Sequence, residues 1–139
     1  MYQFTGCECW PDERPSIAPI IGIYTCLKRS ETSTNIYLSC DMPFVNSVLL
    51  SWMLSQSKNQ DIILPRHHQK FIEPLCGIYN QSALPTIEEL IGKENYSLQN
   101  LVTNAKTLVL DIDSSHGFYN ENTFTNINTM QDYNNISVL

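Results

Sequence analysis

With 139 residues and 42% hydrophobic side chains, the chain is long enough for one domain around a single buried core, which excludes general disorder. A net charge of -6, with only 8 Lys and Arg scattered along the sequence, excludes the clustered basic surface that phosphate backbones demand, so no nucleic-acid partner is expected. No apolar run approaches a membrane span, and the start "MYQFTGCECW" lacks the pattern of a secretory leader, so no membrane association is expected and the compartment read from the sequence is cytoplasmic.

The first 19 residues carry Pro11, Pro15 and Pro19 and read as an irregular loop. In "IIGIYTCL", Ile20, Ile23, Tyr24 and Leu27 recur at spacings of three and four, which predicts a short helix. The run "IYLSC", Ile36 to Cys40, predicts a strand covered on both faces, and Asp41 falls at its carboxyl end. Asn46 is a good N-cap for a helix over "SVLLSWMLSQS". "DIILP" and "FIEPLCGIY" read as extended segments, the second interrupted by Pro74, with "RHHQK" as the loop or hairpin end between them.

"LPTIEELIG" predicts a helix with Thr86 and Glu89 in capping-box spacing and Gly92 as its stop. A further helix is expected from about Ser97 to Ala105, then the strand "TLVLDI". "FTNINTMQDY" closes the pattern with a short strand and a helix capped by Thr129. Strands alternating with helices make an α/β domain, in which ligands bind at the carboxyl ends of strands. Asp41 is therefore placed to meet a ligand.

Five cysteines without regular spacing fit reduced thiols, and Cys26, Cys40 and Cys76, lying in apolar runs, read as small apolar residues. Cys7 and Cys9 with His67 and His68 lack zinc-finger spacing. The three histidines, His67, His68 and His116, lie in polar stretches and read as surface residues, whereas Tyr24, Trp52 and Phe71 read as core.

Taken in order, "PDERPSIAPIIGIYTCL", "IYLSCDMPFV", "IEPLCGIY" and "FTNINTMQDY" resemble segments of the molybdenum cofactor guanylyltransferases, members of a nucleotidyltransferase family with a Rossmann-like fold. The resemblance implies a three-layer α/β fold with a mostly parallel sheet. It also implies transfer of GMP from GTP to molybdopterin cofactor with release of pyrophosphate, and Mg²⁺ as cofactor. Asp41 matches the aspartate that holds the magnesium ion and so carries the catalytic, metal and nucleotide-binding roles. A hard cation with one or two carboxylates and substrate phosphates in its shell suits that position, although capping of the following helix is an equal reading of the bare spacing.

Asp12, Pro19 and Gly22 match the nucleotide-enclosing loop and turn. Ser16 and Ala18 stand where glycine is usual there, and an Ala18 backbone of positive φ would cost about 1 kcal/mol. Asn126 and Asn128 match the paired asparagines implicated in binding the molybdopterin substrate, and alternate residues of a strand share a face. A solvated carboxylate at Asp12 and a merely polar segment around the asparagines remain open readings.

The family's glycine-rich phosphate loop has no match in the 139 residues. The resemblance therefore implies that residues 1–139 are the C-terminal two-thirds of a single domain, lacking the first strand, glycine loop and first helix, with impaired transfer as the expectation. An unpaired sheet edge, and self-association through it, would follow. A non-catalytic binding module of the same fold and a cytidylyltransferase for the same cofactor are the alternatives.

Overall fold

In a computed structural model of the chain, residues 6–15 and 18–136 are described, with side chains described as far as residue 134. Five strands and five helices follow one another: α1 (Pro19–Arg29), β1 (Thr34–Leu38), α2 (Ser47–Gln56), β2 (Ile62–His67), β3 (Phe71–Ile72), β4 (Cys76–Asn80), α3 (Leu84–Gly92), α4 (Leu98–Asn104), β5 (Thr107–Ile112) and α5 (Met130–Ile136). A 3-10 turn over Gln81–Ala83 joins β4 to α3.

The sheet is organised around β2. Parallel β5 pairs with it along its whole length, from Ile62↔Thr107 to His67↔Ile112. Its other edge is shared by β4, through Ile62↔Tyr79 and Ile63↔Ile78, and by β3, through Arg66↔Ile72 and His67↔Phe71, both antiparallel. Strand β1 pairs antiparallel to the far side of β4. Strands β1, β2 and β5 therefore run one way, and β4 with β3 runs the other. The expected parallel set is present, and the reversed strand makes the sheet mixed.

Pro65 explains the break between β3 and β4. Its carbonyl accepts from Glu73 N (3.1 Å), so its missing N–H faces the same edge, where Pro74 interrupts the partner strand. His68 and Gln69 turn the hairpin with φ of 49° and 55°, and Lys70 N donates to His67 O across it (3.1 Å). Positive φ at both central residues is the type I′ signature, whose twist suits the hairpin.

Two helical layers cover the sheet. On one face Ile20, Ile23, Tyr24 and Leu27 of α1 pack with Ile87 and Ile91 of α3, Leu101 of α4, and Ile62, Leu64 and Tyr79 of the sheet. On the other, Leu49 and Met53 of α2 pack with Met42, Ile63, Ile78, Ile112 and Phe124. The alternation of Ile62 and Leu64 against Ile63 is the strand period of two feeding both layers. This is the expected three-layer architecture.

Local departures have identifiable causes. The predicted strand at Ile36 to Cys40 forms as Thr34–Leu38 and is an edge rather than a covered strand: Tyr37 packs inward, but Ile36 and Leu38 remain 44% and 45% exposed. Thr86 does not cap α3, which starts earlier by continuing the 3-10 turn, with no side-chain cap at Ala83. The helix ends at Gly92 as expected, but Gly92 does not take the left-handed position. Glu94, at φ 55°, takes the left-handed position, with Asn95 N donating to Leu90 O and Glu94 N to Ile91 O, the Schellman pattern. The expected strand before α5 does not form, whereas Thr129 caps α5 as expected, accepting from Asp132 N (3.1 Å) while Asp132 accepts from Thr129 N (2.9 Å).

Cys76 is buried, and burial with the nearby Glu73 charge pushes its thiol up to about 12, whereas Cys40 is exposed. Phe71, read as core, is 48% exposed.

Gly77 in β4 has no room for a side chain: an added Cβ would overlap Leu64 Cδ2 and lie 3.1 Å from the Ile63 carbonyl. Gly77→Ala is expected to destabilise by about 1–3 kcal/mol, the usual size of overpacking, measured by urea denaturation.

Candidate functional site

Asp41 lies in the turn that leaves β1, where Met42 N donates to Ser39 O (3.3 Å) and Ser39 N continues the ladder to Leu75 O (2.8 Å). It does not cap α2. Asn46 does so, its Oδ1 accepting from Leu49 N (3.0 Å) while its Nδ2 donates to Phe118 O (2.9 Å). The capping reading of Asp41 is thereby removed. Its Oδ1 is buried and has no hydrogen-bond partner among the described residues. A buried, unpaired polar atom is costly unless something outside the chain satisfies it.

Asp41 also carries the second half of the candidate site. Its backbone carbonyl accepts from Ile127 N (2.8 Å), bringing the exposed Asn126 and Asn128 to the carboxyl end of β1. The two asparagines flank this bond in irregular backbone rather than on a strand, so their shared position comes from the Ile127 anchor and not from strand alternation.

Asp12, Pro19 and Gly22 form a neighbouring group. Pro19 opens α1 at its first turn, where its fixed φ and absent N–H cost nothing. Gly22 lies one turn in, and a Cβ there would sit 3.8 Å from Asp12 Oδ1. The loop holding Asp12 is tied along α1: Glu13 N donates to Thr25 Oγ1 (3.0 Å), and the Glu13 carboxylate meets Lys28 (2.8 Å) and Arg29 (3.6 Å). Lys28 holds the Glu13 carboxyl below its ordinary range. The Tyr37 hydroxyl donates to the Ile23 carbonyl (2.8 Å), setting the first half of α1 beside the last residues of β1. Both groups therefore occupy the same end of the sheet.

Ala18 is extended, φ -163° and ψ 155°, a conformation open to any residue, so no glycine is required at that position. Ser16 lies outside the described residues.

One pair escaped the sequence reading. His67 ends β2, half-buried rather than on the surface, with its Nε2 2.8 Å from Glu73 Oε1 and its ring stacked on Phe124 at 4.8 Å. The signal was present in "RHHQKFIEP": a two-residue turn at its centre folds Glu73 back toward His67. A cleft of about 420 Å³ nearby is lined by Asp111, Asp113, Glu121 and Tyr119. Asp111 is already held by Nε and Nη2 of Arg66 (2.7 and 2.9 Å), which lower its carboxyl below the ordinary range, and Asp113 by Ser115 (2.5 and 2.9 Å). Among the described residues no group of three or more His, Cys, Asp or Glu side chains converges as a metal cage. Mg²⁺ needs none, since one or two carboxylates with water and substrate phosphates suffice, and Asp41 is a fitting hard-oxygen donor.

Comparison with known proteins bears on the family and the fold. The profile of the MobA-like NTP transferase domain matches residues 1–108. A "Probable molybdenum cofactor guanylyltransferase" from Flavobacterium johnsoniae is 31% identical over 137 residues, covering 99% of this chain and 70% of its own. A protein of the same name from Clostridium perfringens strain 13 is 27% identical, covering 97% and 69%. Among solved structures, a protein from Aquifex aeolicus VF5 superposes with a TM-score of 0.78 at 26% identity, over 92% of this chain and 65% of its own. The molybdopterin-guanine dinucleotide biosynthesis protein A of Archaeoglobus fulgidus shares the fold, with a TM-score of 0.73 at 23% identity over 88% and 64%. The chain thus spans about two thirds of the length of the proteins it resembles.

The division of labour between Asn46 and Asp41 predicts opposite outcomes. Asn46→Ala is expected to cost about 1 kcal/mol through loss of the cap. Asp41→Ala, which removes a buried oxygen without a partner among the described residues, is expected to leave the thermal midpoint unchanged or higher. Thermal unfolding of the two variants checks both.

Proposed function

This chain belongs to the MobA-like NTP transferase family, a family of nucleotidyltransferases, and on that premise we propose that it contributes the metal- and acceptor-binding half of a GMP-transfer site. The observation that carries the proposal is the buried Oδ1 of Asp41 at the carboxyl end of β1, without a partner among the described residues, on a residue whose backbone is bonded to the loop of Asn126 and Asn128.

The reaction is transfer of GMP from GTP to molybdopterin. A terminal phosphate oxygen of molybdopterin attacks the α-phosphorus of GTP, a new P–O–P bond forms, the α–β bond breaks, and pyrophosphate leaves. That oxygen is already anionic, so no protein base has to remove a proton. Mg²⁺, when bound, offsets charge on the transferring phosphoryl group. Asp41 provides its carboxylate ligand. Asp12, Pro19 and Gly22 border the nucleotide along the first turns of α1, where Asp12 lies close enough that a Cβ on Gly22 would be 3.8 Å from its Oδ1. Asn126 and Asn128 offer paired amide donors and acceptors to the acceptor molecule. The cytosolic compartment read from the sequence goes with this proposal.

Calorimetric titration is expected to show GTP binding that requires Mg²⁺, exceeds CTP binding, and falls at least tenfold in Asp41→Ala, because a missing charged ligand commonly costs more than 1.4 kcal/mol. Binding that ignores Mg²⁺ or Asp41, or no binding by folded protein, overturns the proposal.

The sheet edge bears on assembly. Among the described residues β1 is paired on one side only; it carries no Lys or Arg and leaves Ile36 and Leu38 exposed, so it lacks the usual protection of an edge strand. We propose that copies of the chain associate through it. Concentration-dependent sedimentation is expected to show dimers, and Ile36→Lys with Leu38→Lys to return monomers. Identical behaviour of the two proteins excludes this edge.

A further inference from the structure

We propose that His67 is a positioning residue for the acceptor loop, setting Asn126 and Asn128 through the ring of Phe124. This rests on the acceptor role assigned above to the two asparagines, but its physical content is independent of it.

The loop from Phe124 to Asn128 has no strand to hold it, and its amides are exposed to water on the asparagine side. Two anchors fix it. At one end Ile127 N donates to the Asp41 carbonyl. At the other Phe124 is buried and lies on the His67 ring, centroids 4.8 Å apart and planes inclined by 29°. Phe124 is two residues from Asn126, so a tilt of its ring is passed directly to the amide that faces the acceptor.

Glu73 determines how His67 stands. An ionised carboxylate only accepts, so His67 Nε2 carries the proton and donates to Glu73 Oε1 (2.8 Å). Both partners are shielded, with side-chain exposures of 14% and 20%, which strengthens the bond relative to one in water. Phe71 contacts the ring at 5.5 Å and His68 at 4.9 Å, completing the packing around it. Glu73 is itself anchored, since its N–H donates to the Pro65 carbonyl and its carbonyl accepts from Cys76 N (each 3.1 Å). The pair therefore links the central strand to the loop. With Nε2 committed to Glu73 and an acceptor that is already anionic, this histidine orients and does not transfer a proton.

The test is amide hydrogen exchange by NMR on the full chain. His67→Ala is expected to raise exchange at Ile127 about tenfold while Ile63 of β2 and Val109 of β5 are unchanged, because a local opening moves only the amides it frees. His67→Phe, which restores a flat ring under Phe124, is expected to bring Ile127 back to within about threefold of the parent. Glu73→Ala keeps the ring and frees its orientation, so it is expected to loosen Ile127 part of the way, and it decides the matter if His67→Ala does not fold. Unchanged exchange at Ile127, or a rise shared equally by Ile63 and Val109, overturns the proposal.

Titrations separate this claim from the one beneath it. In His67→Ala, affinity for molybdopterin is expected to fall roughly tenfold and to recover in His67→Phe, with Mg-GTP affinity within about twofold of the parent. A matching loss of GTP affinity overturns the positioning role. Failure of the parent chain to bind either compound removes the proposed function and leaves the exchange result standing.

Discussion

Strand β2 is the constraint on which the other elements depend. Ile62, Ile63 and Leu64 are wholly buried, one set facing α1, α3 and α4 and the other facing α2. Both of its edges are occupied, by β5 along the full length and by the broken β4–β3 pair on the opposite side. Displacing β2 would uncover two cores and leave two ladders unpaired, so its register fixes the height of every neighbouring strand. The carboxyl ends of β1, β2 and β5 are consequently brought to one end of the sheet.

The chemistry collects at that end because the chain leaves each of these strands there. The exit from β1 carries Asp41, the exit from β2 carries His67, and the segment after β5 returns to place Phe124 on His67 and Ile127 on Asp41. The first turns of α1 join them because Tyr37, near the end of β1, donates to the Ile23 carbonyl. Burial explains the asymmetry between the acidic groups. Asp111 is held by Arg66 and Asp113 by Ser115 at the surface, whereas Asp41 holds a shielded oxygen for which the described residues provide no donor.

The opposite edge of the sheet is built differently. Among the described residues β1 has one partner strand, and α2, the helix that follows it, packs over β4, β2 and β5 instead of over Ile36 and Leu38. Two apolar side chains and a row of unpaired backbone groups are left at the boundary. The same strand thus leads into the Asp41 turn at its end and leaves two apolar side chains exposed along its length.

Local pattern was enough for most helices and strands: the three-and-four spacing of Ile20, Ile23, Tyr24 and Leu27, the Asn46 cap, the run Thr107–Ile112 and the Thr129–Asp132 box each act between residues close in sequence. Family resemblance in four ordered motifs also named Asp41, Asn126 and Asn128 together. What lay beyond sequence was decided by long-range contacts. Nothing local says that β4 runs against β1, that Ile36 and Leu38 lack a cover, or that Asn126 and Asn128 meet Asp41 through Ile127 in irregular backbone instead of along a strand. The His67–Glu73–Phe124 stack is the clearest case, since it joins a strand end, a hairpin return and a loop 57 residues further on, whose proximity exists only once the sheet has formed. Residue type and spacing carry the local free energies, whereas pairing and burial between distant segments select which of those residues share a site.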